Sequence, residues 1–209
     1  MKEKVIFIGA GGYAKSVLDS LDKEKYALCG FIDNFKPEGT THLGYPILAK
    51  TIMEFSDKEK YSYFISIGNN DYRLEKFLKL QQLGCNIINV IDKTALVSEN
   101  TTLGKGLFIG KMAIINSGVT IGDNVIINTK ALIEHGCVIG NHCNISTNTT
   151  LNGDVIVDDY CFVGSSAVLN GQLRIGENSV IGSGAVVIRN VQPRTVVVGV
   201  PAKFIKENK

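Results

Sequence analysis

Residues 115–139 read INSGVTIGDNVIINTKALIEHGCVI, and an aliphatic residue occupies every sixth position of this stretch. The same spacing extends without exception from the first to the last of sixteen aliphatic positions: Val97, Leu103, Ile109, Ile115, Ile121, Ile127, Ile133, Ile139, Ile145, Leu151, Val157, Val163, Leu169, Ile175, Ile181 and Val187. A period of six fits neither an amphipathic helix nor a strand that alternates apolar and polar residues. It is typical of a β-helix built from hexapeptide repeats.

Two further positions of each repeat predict how the chain turns. A small or aliphatic residue stands two positions before each aliphatic one, as at Ala131, Cys137 and Cys143. Gly, Asn, Asp or Ser usually follows directly, as at Gly122 and Asn128. We expect the small residue to let the corner close and the following residue to adopt a left-handed backbone there. Three hexads make one triangular coil, so residues 18 apart in this sequence should lie above one another, with the aliphatic residue inside the prism.

The composition limits the classes of protein to which the chain can belong. Its 209 residues have room for one large domain or two small ones, and a formal net charge of +2 gives no sign of nucleic-acid or membrane binding. The residues that follow Met1 lead only into a short apolar run, so we expect no signal peptide. No run reaches transmembrane length. Packing in the hexads explains three of the five cysteines, so we expect a reduced cytoplasmic enzyme without a metal site.

The N-terminal residues follow a different pattern, that of a strand, a glycine-rich turn and a helix. Val5–Ile8 is predicted as a buried strand, Gly9–Ala14 as the turn, and residues 15–21 as the helix. The turn matches a nucleotide-binding pattern whose glycines let the backbone approach a phosphate at the helix N-terminus. A second strand, Tyr26–Ile32, ends at Asp33, where a dinucleotide site has its ribose-binding carboxylate. A βα turn without any ligand is the alternative.

The rest of this region continues the alternation of strands and helices. We predict a helix over Ala49–Phe55, a strand over Tyr63–Gly68, a helix over Asp71–Leu83 and a strand over Ile87–Ile91. Residues 1–91 therefore predict a small, open, Rossmann-like parallel sheet of the α/β class.

Three stretches of this region should meet at one edge of the sheet. Gly9–Ala14, Asp33 and Gly68–Asn70 each follow a predicted strand. Ligands of such sheets bind outside the carboxyl ends of the strands, so we expect a small-molecule site there. Asn69 also suits the N-cap of the helix that follows, a purely structural role.

One hexad departs from the repeat and carries the candidate catalytic residue. Glu134 is the only bulky residue in its slot between Ser98 and Gly182, and His135 follows it. Positions 18 before and 18 after His135 are Ser117 and Gly153, so the neighbouring coils should leave space beside the imidazole. A histidine suits general base catalysis because its ordinary pKa lies near neutrality. Position alone also allows an unreactive corner histidine.

With these motifs the chain resembles the bacterial sugar acetyltransferases that pair a Rossmann-like domain with a hexapeptide β-helix. That family includes N-acetyltransferases of nucleotide-linked 4-amino-4,6-dideoxy sugars and sialic acid O-acetyltransferases. The resemblance covers residues 3–205 and rests on Gly9–Ala14, Phe31–Asp33, Ile67–Asn70, Ile133–His135 and Gly199–Lys203. It implies a nucleotide-sugar-binding domain over residues 1–91 and an all-β, left-handed parallel β-helix over residues 92–209.

The resemblance also implies roles for individual residues. His135 would be the general base that deprotonates a sugar amine as it attacks the thioester carbonyl of acetyl-CoA, and no acyl-enzyme is needed. The implied substrate contacts are Gly11, Gly12, Tyr13, Asp33, Gly68 and Asn69 for the nucleotide sugar and Asn128 for the acceptor. The implied acetyl-CoA contacts are Asn144, Gly153, Ser165 and Ser183. A homotrimer with each active site between two helices follows from the same resemblance, with no metal.

Two positions depart from the family pattern. Many relatives have an acidic residue directly after the histidine, where it orients the imidazole, but this chain has Gly136. We expect Glu134, a backbone carbonyl or a second chain to supply that function. Tyr13 stands where relatives often have a histidine, which affects contacts with the sugar or nucleotide.

The leading hypothesis is N-acetylation of a nucleotide-linked 4-amino-4,6-dideoxy sugar for a surface polysaccharide or glycan. The nearest alternative is O-acetylation of sialic acid with the same donor. An NAD-dependent oxidoreductase that uses Gly9–Ala14 and Asp33 is a distant alternative, because it leaves the β-helix without a role. A binding or scaffold protein with a catalytically silent β-helix is the remaining class.

Overall fold

The computed structural model describes residues 1–208. They divide into two compact units, one of Met1–Ile91 and a second that begins at Asp92. Among these residues, no helix combines the length and the apolar character that a membrane crossing requires.

The first unit is a sheet with two helices. Its elements are β1 (Glu3–Ile8), α1 (Tyr13–Ser20), β2 (Tyr26–Ile32), β3 (Thr41–His42), β4 (Tyr45–Ala49), a 3₁₀ turn (Lys58–Lys60), β5 (Ser62–Ile65), α2 (Asn70–Gln82), β6 (Asn86–Ile87) and β7 (Val90–Ile91). The sheet order is β3-β4-β2-β1-β5-β6. Only the β3–β4 pair is antiparallel. The predicted Rossmann-like α/β sheet is confirmed.

Alternating side chains of β1 build the two apolar layers of this unit, because successive strand residues point to opposite faces of a sheet. Ile8 belongs to the cluster that contains Phe77 of α2. Phe7 contacts the rings of Phe31 and Phe64, each with a centroid separation of 5.9 Å. This packing fixes the carboxyl ends of the central strands, where the glycine turn begins.

Four local predictions in this unit differ from the structure, and one of them is the strand expected over Tyr63–Gly68, which spans Ser62–Ile65. The helix expected over Ala49–Phe55 is absent: Ala49 ends β4, pairs with Ile32, and accepts a hydrogen bond from the backbone N of Asp33 at 3.1 Å. Pairing with the sheet therefore overrides the local helical preference. Helix α1 begins at Tyr13, two residues earlier than expected, and the strand expected over Ile87–Ile91 is divided into β6 and β7.

The second unit consists of sixteen two-residue strands followed by a hairpin. The strands, each ending on an aliphatic residue of the repeat, are β8 (Leu96–Val97), β9 (Thr102–Leu103), β10 (Phe108–Ile109), β11 (Ile114–Ile115), β12 (Thr120–Ile121), β13 (Ile126–Ile127), β14 (Leu132–Ile133), β15 (Val138–Ile139), β16 (Asn144–Ile145), β17 (Thr150–Leu151), β18 (Ile156–Val157), β19 (Phe162–Val163), β20 (Val168–Leu169), β21 (Arg174–Ile175), β22 (Val180–Ile181) and β23 (Val186–Val187). The antiparallel hairpin is formed by β24 (Thr195–Val198) and β25 (Lys203–Glu207).

The short strands stack into three parallel faces. The first face contains β10, β13, β16, β19 and β22, the second β8, β11, β14, β17, β20 and β23, and the third β9, β12, β15, β18 and β21. Partners lie 18 residues apart, as in the series Ile127, Ile145 and Val163. The aliphatic and cysteine side chains fill the interior of the prism. The predicted left-handed parallel β-helix and its register are confirmed.

The expected place of the left-handed backbone is wrong. Positive φ angles occur three residues after the aliphatic positions from Leu103 to Ile181, and not directly after them, at Gly106, Met112, Gly118, Asn124, Lys130, Gly136, His142, Asn148, Asp154, Tyr160, Ser166, Gln172, Asn178 and Gly184. The glycine directly after the aliphatic residue has another function. A Cβ on Gly122 would lie 2.6 Å from Oδ1 of Asn141, so a missing side chain there lets the next coil pack closely.

Candidate active site

His135 lies at the second corner of the β-helix, the turn that follows the strands of the second face. Both neighbouring coils hold the backbone of this turn: the N–H of Gly136 donates to the carbonyl of Ser117 at 3.2 Å, and the N–H of Asp154 donates to the carbonyl of His135 at 2.9 Å. Ile133 is fully buried, whereas the side chain of His135 is 67% exposed. The fold thus presents an open imidazole on a rigid corner.

The imidazole lies over Gly153 on the following coil. A Cβ added to Gly153 would lie 2.5 Å from Cε1 and 2.7 Å from Nε2 of His135. These distances are too short for any side chain, so the ring can occupy this place only because position 153 is glycine. The space predicted from the 18-residue spacing is present. A contact of Gly153 with acetyl-CoA remains a prediction.

Gly153→Ala is expected to lower kcat by about 10- to 100-fold, because the added methyl group displaces the ring and small misplacements of a catalytic group are costly. Steady-state kinetics on an acetyl-accepting substrate measures the effect. Gly171→Ala is the matched control: it lies one coil further along the same corner, and its Cβ would approach the carbonyl of Gly153 at 3.0 Å and not the ring. Full kcat in Gly153→Ala would exclude the observed ring position from the mechanism.

Two carboxylates flank this corner, and their side chains contact different residues. Glu134 accepts a hydrogen bond from Nδ2 of Asn116 at 2.8 Å, which holds it toward the preceding coil. Asp154 has Oδ1 at 4.0 Å from Nδ1 of His135. Asp154 is missed by the sequence reasoning, although adding 18 to Gly136 leads to it. A catalytic role for Glu134 stays a prediction.

The remaining predicted residues of the β-helix lie elsewhere on this chain. Asn128, Ser165 and Ser183 lie at the first corner, the turn that follows the strands of the first face. Asn144 is on the first face, where it is buried and its Oδ1 is 3.5 Å from the hydroxyl of Ser146. The whole second face therefore separates this group from His135 and Gly153, and one chain does not bring the two groups together.

The cysteines inside the prism are unsuited to nucleophilic catalysis. Burial raises the pKa of the Cys137 thiol to about 11 and holds the pKa of Cys143 well above its ordinary value. A thiol must be deprotonated to act as a nucleophile, so these side chains are inert near neutral pH. Within residues 1–208, no group of three or more His, Cys, Asp or Glu side chains is arranged to hold a metal ion.

A cavity of about 860 Å³ lies at the carboxyl ends of β1, β2 and β5 in the first unit. Its lining includes five predicted substrate contacts: Gly11, Gly12, Tyr13, Asp33 and Gly68. Asn69 acts as the N-cap of α2, because its Oδ1 accepts a hydrogen bond from the N–H of Tyr72 at 3.0 Å. The structure thus brings the three predicted loops together around one space.

The glycines of the first loop have two separate functions. Gly9 has a φ of +99°, and a Cβ there would lie 2.5 Å from Cγ1 of Ile67, so glycine is required by the backbone and by packing. Gly11 and Gly12 have no atom within 4 Å of an added Cβ, and they face open space in the cavity. Helix α1 begins beside them without a side-chain cap, an arrangement that suits an anion.

Asp33 holds the backbone of this loop through hydrogen bonds. Its Oδ2 accepts a hydrogen bond from the N–H of Ala10 at 2.6 Å, and its Oδ1 accepts from the N–H groups of Phe35 and Lys36 at 2.9 and 3.0 Å. The carboxylate is almost fully buried. Its observed function is therefore structural, and a contact with a ribose stays a prediction.

Tyr13 is part of the cavity lining, and the guanidinium of Arg73 acts on it electrostatically. Burial raises the pKa of the Tyr13 phenol above its ordinary value, while the guanidinium of Arg73 acts in the opposite direction. Arg73 is fully buried and donates from Nη1 to the carbonyl of Gly68 at 3.2 Å. Sequence reasoning missed this arginine, which resembles any helix residue until its burial is known. The lining also contains Lys50, Lys79 and an ion pair of Lys76 with Glu75 at 2.8 Å. Lys50 and Lys79 lie outside this pair, and their positive charge suits a ligand with phosphate groups.

Comparison with protein families defines the class of this protein. Residues 4–80 match the family model described as the PglD N-terminal domain, and residues 100–135 match the model of the bacterial transferase hexapeptide, six repeats. The fold is thus that of a hexapeptide-repeat transferase with an additional N-terminal α/β domain.

Solved structures identify the family more narrowly. The chain is 30% identical to PerB from Caulobacter crescentus, solved with CoA and GDP-perosamine, over 97% of each chain, with a TM-score of 0.91. It is 29% identical to a mutant of perosamine N-acetyltransferase from the same organism, over 98% of this chain and 97% of the other, with a TM-score of 0.91. It is 27% identical to the acetyltransferase domain of PglB from Neisseria gonorrhoeae FA1090 in complex with acetyl coenzyme A, over 98% and 100%, with a TM-score of 0.90. The chain belongs to the hexapeptide-repeat sugar N-acetyltransferase family.

Proposed function

We propose that this protein transfers the acetyl group of acetyl-CoA to the amino group of a nucleotide-linked 4-amino-4,6-dideoxy sugar, in the cytoplasm, for a surface polysaccharide or glycan. Its similarity to PerB, which was solved with CoA and an amino-sugar nucleotide, supports both substrates. The single observation that carries the proposal is the exposed imidazole of His135 over the vacant side-chain position of Gly153.

The proposed reaction is a direct transfer. The amine nitrogen attacks the thioester carbonyl carbon, and Nε2 of His135 accepts the amine proton as the C–N bond forms. The tetrahedral intermediate then expels the thiolate of CoA, which takes the proton from the imidazolium and leaves as a thiol. The products are the N-acetylated sugar nucleotide and CoA. Raised thiol pKa values at Cys137 and Cys143 support a route without an acyl-cysteine.

In this proposal the first unit binds the nucleotide and the second unit carries out the transfer. Residues 1–91 hold the nucleotide in the cavity, with Gly11, Gly12, Tyr13 and Gly68 around its phosphates and Asp33 and Asn69 in supporting positions. The open backbone at Gly11 and Gly12 supports a close approach of a diphosphate, which the lining lysines attract. The β-helix, residues 92–209, carries the transfer chemistry.

We further propose a homotrimer in which the second corner of one chain faces the first corner of its neighbour. Glu134, His135 and Gly153 would then come from one chain and Asn128, Asn144, Ser165 and Ser183 from the other. The separation of these two groups by a full face of the β-helix supports this arrangement, because neither corner alone carries all of the predicted acetyl-CoA and acceptor contacts.

The test is a thiol-release assay with acetyl-CoA and a panel of UDP-, dTDP- and GDP-linked 4-amino-4,6-dideoxy sugars. We expect CoA release with at least one member and a gain of one acetyl group in the product by mass spectrometry. Free sialic acid and the 4-hydroxy analogue of each sugar nucleotide serve as controls for O-acetylation.

The possible outcomes separate the competing functions. CoA release with sialic acid alone would replace the proposal with O-acetylation. Reduction of a sugar nucleotide by NADH or NADPH, without thiol release, would assign the glycine loop to an oxidoreductase. No turnover of any amino-sugar nucleotide would contradict the proposed acceptor class.

A further inference from the structure

We propose that Asp154 is the positioning residue of His135, and that its carboxylate takes the place of the side chain that Gly136 lacks. This inference rests on the proposed function of His135 as a general base. Asp154 would accept a hydrogen bond from Nδ1–H of the imidazole. That bond selects the tautomer with a free lone pair on Nε2 and stabilises the imidazolium that forms during transfer.

The backbone already ties the two residues together. The N–H of Asp154 donates to the carbonyl of His135 at 2.9 Å, so the main chains of the two coils are in register at this point. The side chains diverge only slightly, with Oδ1 of Asp154 at 4.0 Å from Nδ1 of His135. Both side chains are more than half exposed, at 55% and 67%. A rotation about the side-chain bonds therefore suffices to reach hydrogen-bond distance.

Gly136 makes room for this carboxylate. A Cβ on Gly136 would overlap Oδ1 of Asp154, so the aspartate fills the volume that any larger residue at position 136 would occupy. The backbone does not require glycine there. Gly136 has a φ of +69°, and the equivalent corner positions with φ between 55° and 59° include Asn124, Asn148 and Asn178. The contact with Asp154 therefore disfavours a side chain at position 136 in addition to the effect of the positive φ.

The ring orientation agrees with this assignment of the two nitrogens. Relative to the Cβ position of Gly153, Nε2 of His135 is nearer, at 2.7 Å, and Nδ1 is further away, at 3.2 Å. Nδ1 is the ring nitrogen that lies 4.0 Å from Oδ1 of Asp154, so Nε2 is the nitrogen left for the substrate amine in the proposed reaction. Glu134 is the other nearby carboxylate, and its bond to Asn116 holds it toward the opposite coil.

The first test compares Asp154→Asn with Asp158→Asn, a change of a carboxylate on the same coil, as the matched control. We expect Asp154→Asn to lower kcat by about tenfold with KM nearly unchanged, because the interaction strengthens as the imidazolium forms. Asp158→Asn should retain kcat within about twofold, because the carboxylate of Asp158 pairs with Arg174 at 2.9 Å. The assay uses the panel substrate with the highest turnover by the wild-type protein.

The second test exchanges the position of the acid. In the double variant Gly136→Asp/Asp154→Gly, the carboxylate is attached to the residue directly after His135. Removing the side chain of Asp154 also removes the overlap that Gly136→Asp alone would create. We expect the double variant to regain most of the kcat that Asp154→Gly loses. A folded double variant as slow as Asp154→Gly would contradict the proposal, since a merely structural role for Asp154 gives no reason for rescue.

The third test does not depend on turnover. The chain has only three histidines, His42, His135 and His142, so ¹H–¹⁵N spectra of the labelled imidazoles can be assigned by substitution. At a pH where the ring is neutral, we expect the Nδ1–H tautomer of His135 in the wild type and a shift toward Nε2–H in Asp154→Asn. An unchanged tautomer, or unchanged kcat in Asp154→Asn, overturns the role of Asp154. If the wild type shows no turnover, the proposed function is contradicted. The tautomer of His135 in the NMR spectra then decides the role of Asp154 alone.

Discussion

Replacing His135 with alanine is expected to reduce kcat by about 100-fold or more, the usual scale for loss of a general base. A 100-fold loss corresponds to about 2.7 kcal/mol of transition-state stabilisation. The physical reason is that the attacking amine must lose a proton, and in the variant only water is available to accept it. The thiol-release assay gives kcat and KM, and we expect KM to change little because the imidazole acts mainly in the transition state.

The second histidine of the β-helix supplies a matched control. Nδ1 of His142 is 2.9 Å from Nδ2 of Asn124, and its ring packs edge-on against Tyr160 at 6.3 Å, so its contacts are structural. His142→Ala should therefore keep kcat within about twofold of the wild type at a lower melting temperature. Because the side chain of His135 is two-thirds exposed, His135→Ala should fold normally, as circular dichroism and size-exclusion chromatography can verify. Full activity in folded His135→Ala would remove this residue from the mechanism.

Replacing Ile145 with aspartate is expected to destroy most of the stability of the β-helix. Ile145 is fully buried in the prism, between Ile127 and Val163 of the adjacent coils. A charge at this place has no partner, and an unpaired buried charge costs several kcal/mol. Since globular proteins are stable by only about 5–15 kcal/mol, we expect an insoluble or largely unfolded product. Urea denaturation followed by circular dichroism measures the change.

Two further variants of this position separate charge from volume. Ile145→Val removes one methylene group and should cost about 0.5–1.5 kcal/mol. Ile145→Asn has nearly the shape of Ile145→Asp without its charge, so it should be destabilised by less than the aspartate variant. All denaturation curves should be recorded at one protein concentration, because an oligomer gains stability from association. A midpoint for Ile145→Asp equal to that of Ile145→Val would show that the prism does not exclude the charge.

The repeat made the β-helix and its register predictable from the sequence. Residues 18 apart stack because three hexads complete one coil, and Gly153 lies against His135 as that count requires. The glycine loop and the strand ends likewise predicted the residues that line the cavity, because parallel strands bring their carboxyl ends to one edge of a sheet.

Other features depended on forces that act between segments. The residues over Ala49–Phe55 have the pattern of a helix, but Ala49 is paired with Ile32 in the sheet. The small residue that follows each aliphatic position looked like a left-handed turn residue, yet at Gly122 it serves the close approach of Asn141 on the next coil. Glycine meets both demands equally well, so its presence in a sequence does not distinguish between them.

The sequence by itself determined the six-residue period, the stacking of one coil on the next and the position of His135 above a glycine. These features follow from the spacing of residue types along the chain. Only the tertiary structure decided that Glu134 is held by Asn116 and that Asp154 lies beside the imidazole, in the space vacated by Gly136. Those facts depend on which direction each side chain takes at a corner, and that direction is set by the volumes and hydrogen bonds of neighbouring coils.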